Sequence, residues 1–195
     1  DLEFGTAGLR GIMGAGTNRM NRYTVARATK GLSEYLKALY PGELSRGLVI
    51  AYDSRNHSRE FAVEAAAVLT ASGIPVKIFK ELEPIPVLSF SVRHFHALGG
   101  IVITASHNPP EYNGYKVYGE DGGQLVPKKA DVLTEYVEKV KDLSAIDHRT
   151  REDLITWLGE DVVDLFIDTI FKESRYHGNP PPLKVVYTCL LYTSP

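Results

Sequence analysis

The sequence predicts an α/β domain in which a layered, largely parallel sheet lies between helices. Two patterns predict this class. Short apolar segments, typical of buried strands, alternate with longer segments whose apolar side chains recur every three or four positions, as on one face of a helix. Hydrophobic residues also make up 44% of the 195 residues, which is enough to form a core.

The predicted elements alternate in type along the chain. In order, they are a helix over 24–39, a strand over 47–52, a helix ending at 72–73, a strand over 76–79, a helix over about 84–94 and a strand at 101–103. Asn56 or Ser58 can cap the second helix. A hairpin of 115–118 with 125–126, a helix from Pro127 and a helix over about 160–172 complete the pattern.

Composition excludes several functional classes. The net charge is −2, so no general affinity for nucleic acid or for an anionic membrane is expected. Cys189 is the only cysteine, which excludes an intrachain disulfide and fits a reducing cytoplasm. No apolar run reaches transmembrane length and no signal peptide is visible. We therefore expect a cytoplasmic protein, and the sequence leaves its oligomeric state open.

The segment 99–110 is the most informative part of the chain. An apolar run ends in small polar residues and Pro109-Pro110, which places Ser106 on a tight turn just after a strand. In parallel sheets ligands bind at the carboxyl ends of strands, where Asp53 and Arg55 also fall. A serine hydrolase would carry Gly-x-Ser-x-Gly, which is absent around Ser106. Phosphoryl transfer, which needs positioning and cationic groups, suits this neighbourhood better.

The residues 104–109, Thr-Ala-Ser-His-Asn-Pro, resemble the active-site serine loop of the α-D-phosphohexomutases, the phosphoglucomutase and phosphomannomutase family. Three further motifs resemble that family and occur in its order: Gly5–Gly11, Tyr52–Arg55 and Asn113–Tyr118. The most similar subgroup contains the phosphoglucomutase and phosphopentomutase type 2 enzymes. Four motifs in the right order are much more specific than any one of them.

The resemblance implies a domain organisation. Residues 1–178 would form the first domain of a phosphohexomutase, 179–182 a linker, and 183–188 the first strand of a second domain. The family's three-aspartate metal loop, Asp-x-Asp-x-Asp-Arg, belongs to that second domain and is not present here. We therefore expect a fragment of a longer chain. The residues 189–195 depart from the family pattern, resemble a translated sequencing adapter and are expected not to be native.

The resemblance also implies roles for single residues. Ser106 would carry the phosphoryl group and would bind Mg²⁺ through its phosphate. Arg10 would assist transfer at the phosphoserine, and Lys116 would act as a general acid or base. Arg10 is expected in a loop whose glycines, Gly8 and Gly11, let the backbone approach a bound anion. Lys116 follows Asn113-Gly114, which is interpreted as a turn.

Other residues are candidates for binding or support. Thr6, Gly8 and Asn108 are expected to bind substrate together with Arg10 and Lys116, although Asn108 and Thr104 are also typical of residues that hold a loop. His107 is expected either to hydrogen-bond the serine or substrate, or to order the loop. Asp53 and Arg55 have two possible roles. They are expected either to orient the side chain of Arg10 or Lys116 without touching the substrate, or to form a local ion pair.

The function that the resemblance implies is transfer of a phosphoryl group between C1 and C6 of a sugar phosphate, or C5 of a pentose. Transfer would pass through a bisphosphorylated sugar, which also serves as activator, and the partners would be small sugar phosphates. A sugar bisphosphate synthase of the same fold and a non-catalytic sugar-phosphate-binding module are the alternatives. The fragment alone is expected to have little or no activity.

Overall fold

The computed structural model describes residues 2–5 and 8–175, together with the single positions 178, 182 and 184. Six strands form one sheet: β1 (Gly8–Ile12), β2 (Leu48–Tyr52), β3 (Val76–Phe79), β4 (Gly99–Ile103), β5 (Tyr112–Gly119) and β6 (Ile155–Leu158). The helices of the described part are α1 (Arg22–Leu39), α2 (Ser58–Ala71), α3 (Ile85–His94), α4 (Pro127–Lys139) and α5 (Glu160–Glu173). The prediction of an α/β domain with a layered sheet is confirmed.

The sheet has the strand order β1-β5-β4-β2-β3-β6. β4, β2, β3 and β6 are parallel to one another, whereas β5 is antiparallel to both β4 and β1. The antiparallel step has a simple cause, because β4 and β5 are joined by residues 104–111 alone. That connection is too short for a crossover, so the chain must turn back beside the strand it has just left. The connection contains Ser106.

Two apolar layers cover the sheet. One core cluster joins α1, α2 and α4 to side chains such as Ile50, Ile101 and Tyr115. The other joins α3 and α5 to Val49 and Val102, which point to the opposite face. Successive strand residues point to opposite faces, so the near-continuous apolar runs of β2 and β4 reflect burial on both sides.

Helix α1 begins where its local sequence dictates. The Asn21 side chain accepts hydrogen bonds from the backbone amides of Tyr23 and Thr24, and the Thr24 hydroxyl accepts from the amide of Asn21, so a capping box closes the first turn. The buried face of α1 packs against α4 at Gly31, where an added Cβ would lie 2.5 Å from the Cα of Val137.

Several predictions about single elements were wrong. Neither Asn56 nor Ser58 caps α2, because its N-cap position is His57, a left-handed residue (φ 63°) that makes no capping hydrogen bond. Residues 125–126 form no strand: beyond the turn at 120–123, Gln124 bridges to Tyr118 and the Leu125 amide donates to the Val117 carbonyl at 3.3 Å. The strands β1 and β6 were not predicted, and β1 is rich in glycine and shows no periodic apolar pattern.

Some predictions concern residues outside the described part. The strand over 183–188, the linker over 179–182 and the tail over 189–195 lie there almost entirely, and so does Thr6. No helix among the described residues combines the length and the apolar character needed to cross a lipid bilayer.

Candidate active site

Ser106 lies just beyond the carboxyl end of β4, exposed to solvent and with a left-handed backbone (φ 55°). Its amide donates to the Thr104 hydroxyl at 3.0 Å, and the Asn108 amide donates to the Ala105 carbonyl at 3.1 Å. The Nδ1 atom of His107 lies 3.3 Å from the Ser106 hydroxyl. A non-glycine residue rarely adopts this conformation, so the surrounding bonds must hold it.

Arg55 is the residue that holds the loop. Its side chain is 1% exposed, and its guanidinium donates to the carbonyls of four residues of the β4–β5 connection and the start of β5. The acceptors are Ser106 at 2.7 Å, Asn108 at 2.6 Å, Pro109 at 2.9 Å and Tyr112 at 3.1 Å. Asp53 forms an ion pair with Arg55 at 3.5 Å. Asp53 and Arg55 were predicted either to orient Arg10 or Lys116 or to form a local ion pair. The ion pair is present, and the Arg55 guanidinium donates its hydrogen bonds to the serine loop.

Arg10 and Lys116 lie on the same face of the sheet, on the neighbouring strands β1 and β5. Leu9 and Tyr115 pair in register and point into the core below, so the alternate residues point to the other face. Arg10 donates to the side-chain oxygen of Asn108 at 3.1 Å, which joins β1 to the serine loop. The prediction that Arg10 lies in a loop was therefore wrong, since it is a strand residue.

A cavity of about 610 Å³ opens at this edge of the sheet and is lined by Arg10, Lys116, Gly8, Glu3, Asn18 and Gln124. Partial burial lowers the pKa of Lys116, and the nearby charge of Arg10 lowers it further. Within the described residues, no carboxylate forms an ion pair with Lys116. The cavity thus holds two cations without a matching number of anions, an arrangement that favours a bound anion such as phosphate.

Gly8 has a packing role that the sequence interpretation did not include. An added Cβ at Gly8 would lie 2.2 Å from the carbonyl oxygen of Tyr115, so only glycine lets β1 come this close to β5. Gly114, opposite Arg10, is equally restricted, because its Cβ would lie 2.6 Å from the carbonyl oxygen of Thr104.

Asn113 is a residue whose importance the sequence interpretation missed. It was assigned to a turn but lies inside β5, fully buried. Its side-chain amide donates to the Asn56 carbonyl and the Ser58 hydroxyl, each at 3.0 Å. The available signal was a polar residue within a run of alternating strand residues, which indicates a buried polar group that needs partners.

The site residues do not form a metal centre by themselves. Among the described residues there is no group of three or more His, Cys, Asp or Glu side chains placed to hold a metal ion. Mg²⁺ prefers several oxygen ligands. A phosphoryl oxygen on Ser106 is the one such ligand that this loop would offer, so the donor set does not fit a complete magnesium site.

Ser106 lies on a turn with positive φ, and the buried Arg55 guanidinium holds its loop. Arg10, which is bonded to the same loop, lines a cavity together with Lys116, and this arrangement suits phosphoryl groups. The family described as phosphoglucomutase/phosphomannomutase, alpha/beta/alpha domain I, matches residues 1–144. The chain belongs to this family.

Individual relatives agree with this assignment. The chain is 39% identical over 193 residues to a phosphoglucomutase of Staphylococcus haemolyticus, covering 97% of this chain and 35% of that protein. It is 41% identical over 144 residues to the human phosphopentomutase, covering 71% of this chain and 24% of that protein. A solved phosphoglucomutase/phosphomannomutase family protein from Burkholderia thailandensis has the same fold, with a TM-score of 0.65 at 21% identity over 87% of this chain and 35% of that one. The chain thus spans about a third or less of these relatives.

Proposed function

We propose that this chain is the phosphoserine-bearing part of a phosphosugar mutase, with Ser106 as the carrier. The observation that carries the proposal is the juxtaposition of Arg10 and Lys116 in one cavity, with Arg10 bonded to Asn108 of the serine loop. The two cations come from different strands, and neither forms an ion pair with a carboxylate among the described residues, which suits a phosphoryl group moving between two oxygens.

In the proposed step, the bond between phosphorus and the Ser106 oxygen breaks while a bond forms between phosphorus and a sugar hydroxyl. The hydroxyl proton passes to the neutral amine of Lys116, whose lowered pKa increases the neutral fraction. The serine oxygen takes up a proton, and His107, with Nδ1 at 3.3 Å, is a suitable donor in one of its tautomers. Arg10 neutralises charge on the phosphoryl oxygens.

The substrates of this proposal are sugar phosphates that carry the phosphoryl group at C1, C6 or, in a pentose, C5. The intermediate is a bisphosphorylated sugar that also primes Ser106. Gly8 and Asn108 belong to the proposed binding surface, and a substrate-binding role for Thr6, which lies outside the described residues, stays a prediction. Family membership favours Mg²⁺ as cofactor, and its aspartate ligands would come from the second-domain loop Asp-x-Asp-x-Asp-Arg, a motif that this sequence does not contain.

A chimera tests the proposal. This chain replaces the matching segment of the Staphylococcus haemolyticus phosphoglucomutase, to which it is 39% identical. The chimera is assayed with glucose 1-phosphate, glucose 1,6-bisphosphate and Mg²⁺. We expect turnover, and a loss on the order of 10³-fold or more in Ser106→Ala. Ser91→Ala, which removes a buried hydroxyl in α3, is the matched control and should keep the rate.

Two results would contradict the proposal. One is a Ser106→Ala chimera that turns over as fast as its parent. The other is a chimera that folds, by circular dichroism, and neither turns over nor gains one phosphoryl group at Ser106 in an intact-mass measurement.

A further inference from the structure

We propose that four buried or half-buried residues, Asn113, Ser58, Asp53 and Arg55, form a positioning network that fixes the carrier serine relative to the strand that bears Lys116. The inference rests on the proposed function, because it assigns to that reaction residues that do not touch the substrate. It also identifies the interior contacts that set the geometry of transfer, which the proposed function does not include.

The network is continuous and its hydrogen bonds have one possible direction. Asn113 donates its side-chain amide to the Ser58 hydroxyl at 3.0 Å. An amide nitrogen cannot accept, so Ser58 must use its single proton elsewhere. That proton goes to Asp53 at 2.7 Å, and the same carboxylate oxygen accepts the backbone amide of Arg55 at 3.0 Å. The other carboxylate oxygen faces the Arg55 guanidinium at 3.5 Å.

One end of the network holds the carrier serine, and the other end lies in the strand that bears Lys116. At one end, Arg55 donates to the Ser106 carbonyl at 2.7 Å, while Thr104 accepts from the Ser106 amide at 3.0 Å. Both sides of the serine are thereby fixed in the left-handed conformation. At the other end, Asn113 lies in β5, three residues before Lys116.

Burial makes this arrangement rigid. Asn113 and Ser58 are fully or almost fully buried, and the Arg55 side chain is 1% exposed. A buried polar group without its partner is costly, so removing one member should disturb the others. The buried Nε atom of Arg55 makes no hydrogen bond among the described residues, and the Asp53 carboxylate lies 3.5 Å from it as its ion-pair partner.

The experiment uses this chain with phosphoserine placed at position 106 by genetic encoding. ³¹P NMR then gives the second pKa of the phosphate, which depends on how close the cations are. The charged and titratable groups on and around the loop are Arg10 from β1, Lys116 from β5, His107 and Glu111 within the loop, and Arg55 and Asp53 beneath it. In the unvaried chain we expect this pKa to lie below its ordinary value of about 6.

Two variants test the network. Arg55→Lys keeps the charge but cannot donate to four carbonyls, and Ser58→Ala removes the link between Asn113 and Asp53. In both, we expect the phosphoserine pKa to rise towards its ordinary value, by roughly half a unit or more. Ser91→Ala, which deletes an equally buried helical hydroxyl on the other side of the sheet, should leave it unchanged.

The possible outcomes distinguish a failure of the positioning network from a failure of the proposed function. A lowered pKa in the unvaried chain that stays equally low in folded Arg55→Lys and Ser58→Ala overturns the network and leaves the proposed function intact. An ordinary pKa in the unvaried chain counts against the phosphoryl site itself. Should a variant fail to fold, hydrogen exchange of the unvaried chain decides. We expect the amides of Ser106 and Asn108 to exchange slowly despite their surface position, and exchange at the unprotected rate would overturn the network.

Discussion

At the residue scale, Ser106 has a left-handed backbone, a conformation that only His57 and His96 share among the described non-glycine residues. Its φ of 55° lies in the region that glycine adopts without cost and that other L-residues rarely enter. The contacts of Arg55 and Thr104 hold it there, so the loop stores strain that other parts of the fold offset. The direction of the Ser106 side chain is therefore set by its backbone conformation and not by the packing of the side chain itself.

This strain predicts an inverted preference between alanine and glycine. We expect Ser106→Gly to be more stable than Ser106→Ala by about 1 kcal/mol in the free energy of unfolding, because only alanine retains the steric cost of positive φ. Urea denaturation of this chain measures the difference. At Ser91, inside α3, the order should reverse by a similar amount, since glycine weakens a helix. Equal stabilities of the two Ser106 variants would mean that the turn is unstrained.

The sequence indicated which residues are candidates for the site, but it did not indicate which contacts those residues make. Ser106, Arg10 and Lys116 were selected as candidates because the motifs that contain them resemble those of one family, and the structure places Arg10 and Lys116 in one cavity. The role of Arg55 could not be predicted, since its acceptors are backbone carbonyls 51 to 57 positions away. Any residue can offer a carbonyl, so the amino-acid types at those positions carry no signal of the contact.

At the element scale, β1 is positioned by close backbone approach. Its glycines gave no periodic apolar pattern, and the strand was therefore missed. β4 and β5, by contrast, are dense in β-branched or aromatic residues and were predicted. The consequence is functional as well as structural, because β1 carries Arg10 into the cavity beside Lys116.

Two glycines of β1 allow a matched test of this packing. In Gly8→Ala, the new Cβ would meet the Tyr115 carbonyl oxygen at 2.2 Å, a backbone atom that cannot move aside. We expect the free energy of unfolding to fall by about 1–3 kcal/mol, the usual cost of overpacking. In Gly11→Ala, the nearest atom is Leu2 Cδ1 at 3.0 Å, the end of a flexible side chain, so the change should be much smaller.

Urea denaturation again gives both values, with no ligand present. If Gly8 served substrate binding alone, Gly8→Ala would leave the free energy of unfolding unchanged when no ligand is present. Equal effects of the two substitutions would therefore contradict the packing role of Gly8.

At the scale of the whole molecule, the site is open. Ser106 is exposed, and the cavity lined by Arg10 and Lys116 opens at the sheet edge formed by β1. A phosphoserine that water can reach is exposed to hydrolysis, and productive transfer to a sugar needs water to be excluded. The chain spans 35% of the length of the Staphylococcus haemolyticus phosphoglucomutase, so most of such a protein is not represented in it.

This openness predicts that the chain alone has little or no mutase activity. In a coupled assay with glucose 1-phosphate, glucose 1,6-bisphosphate and Mg²⁺, turnover should stay at least about 10³-fold below that of the chimera, because neither enclosure nor a full set of magnesium ligands is available among the described residues. The chimera differs only in the segments that surround this domain. A chain that turned over as fast as the chimera would mean that this domain contains the complete catalytic machinery, and that the remaining segments contribute only to stability or regulation.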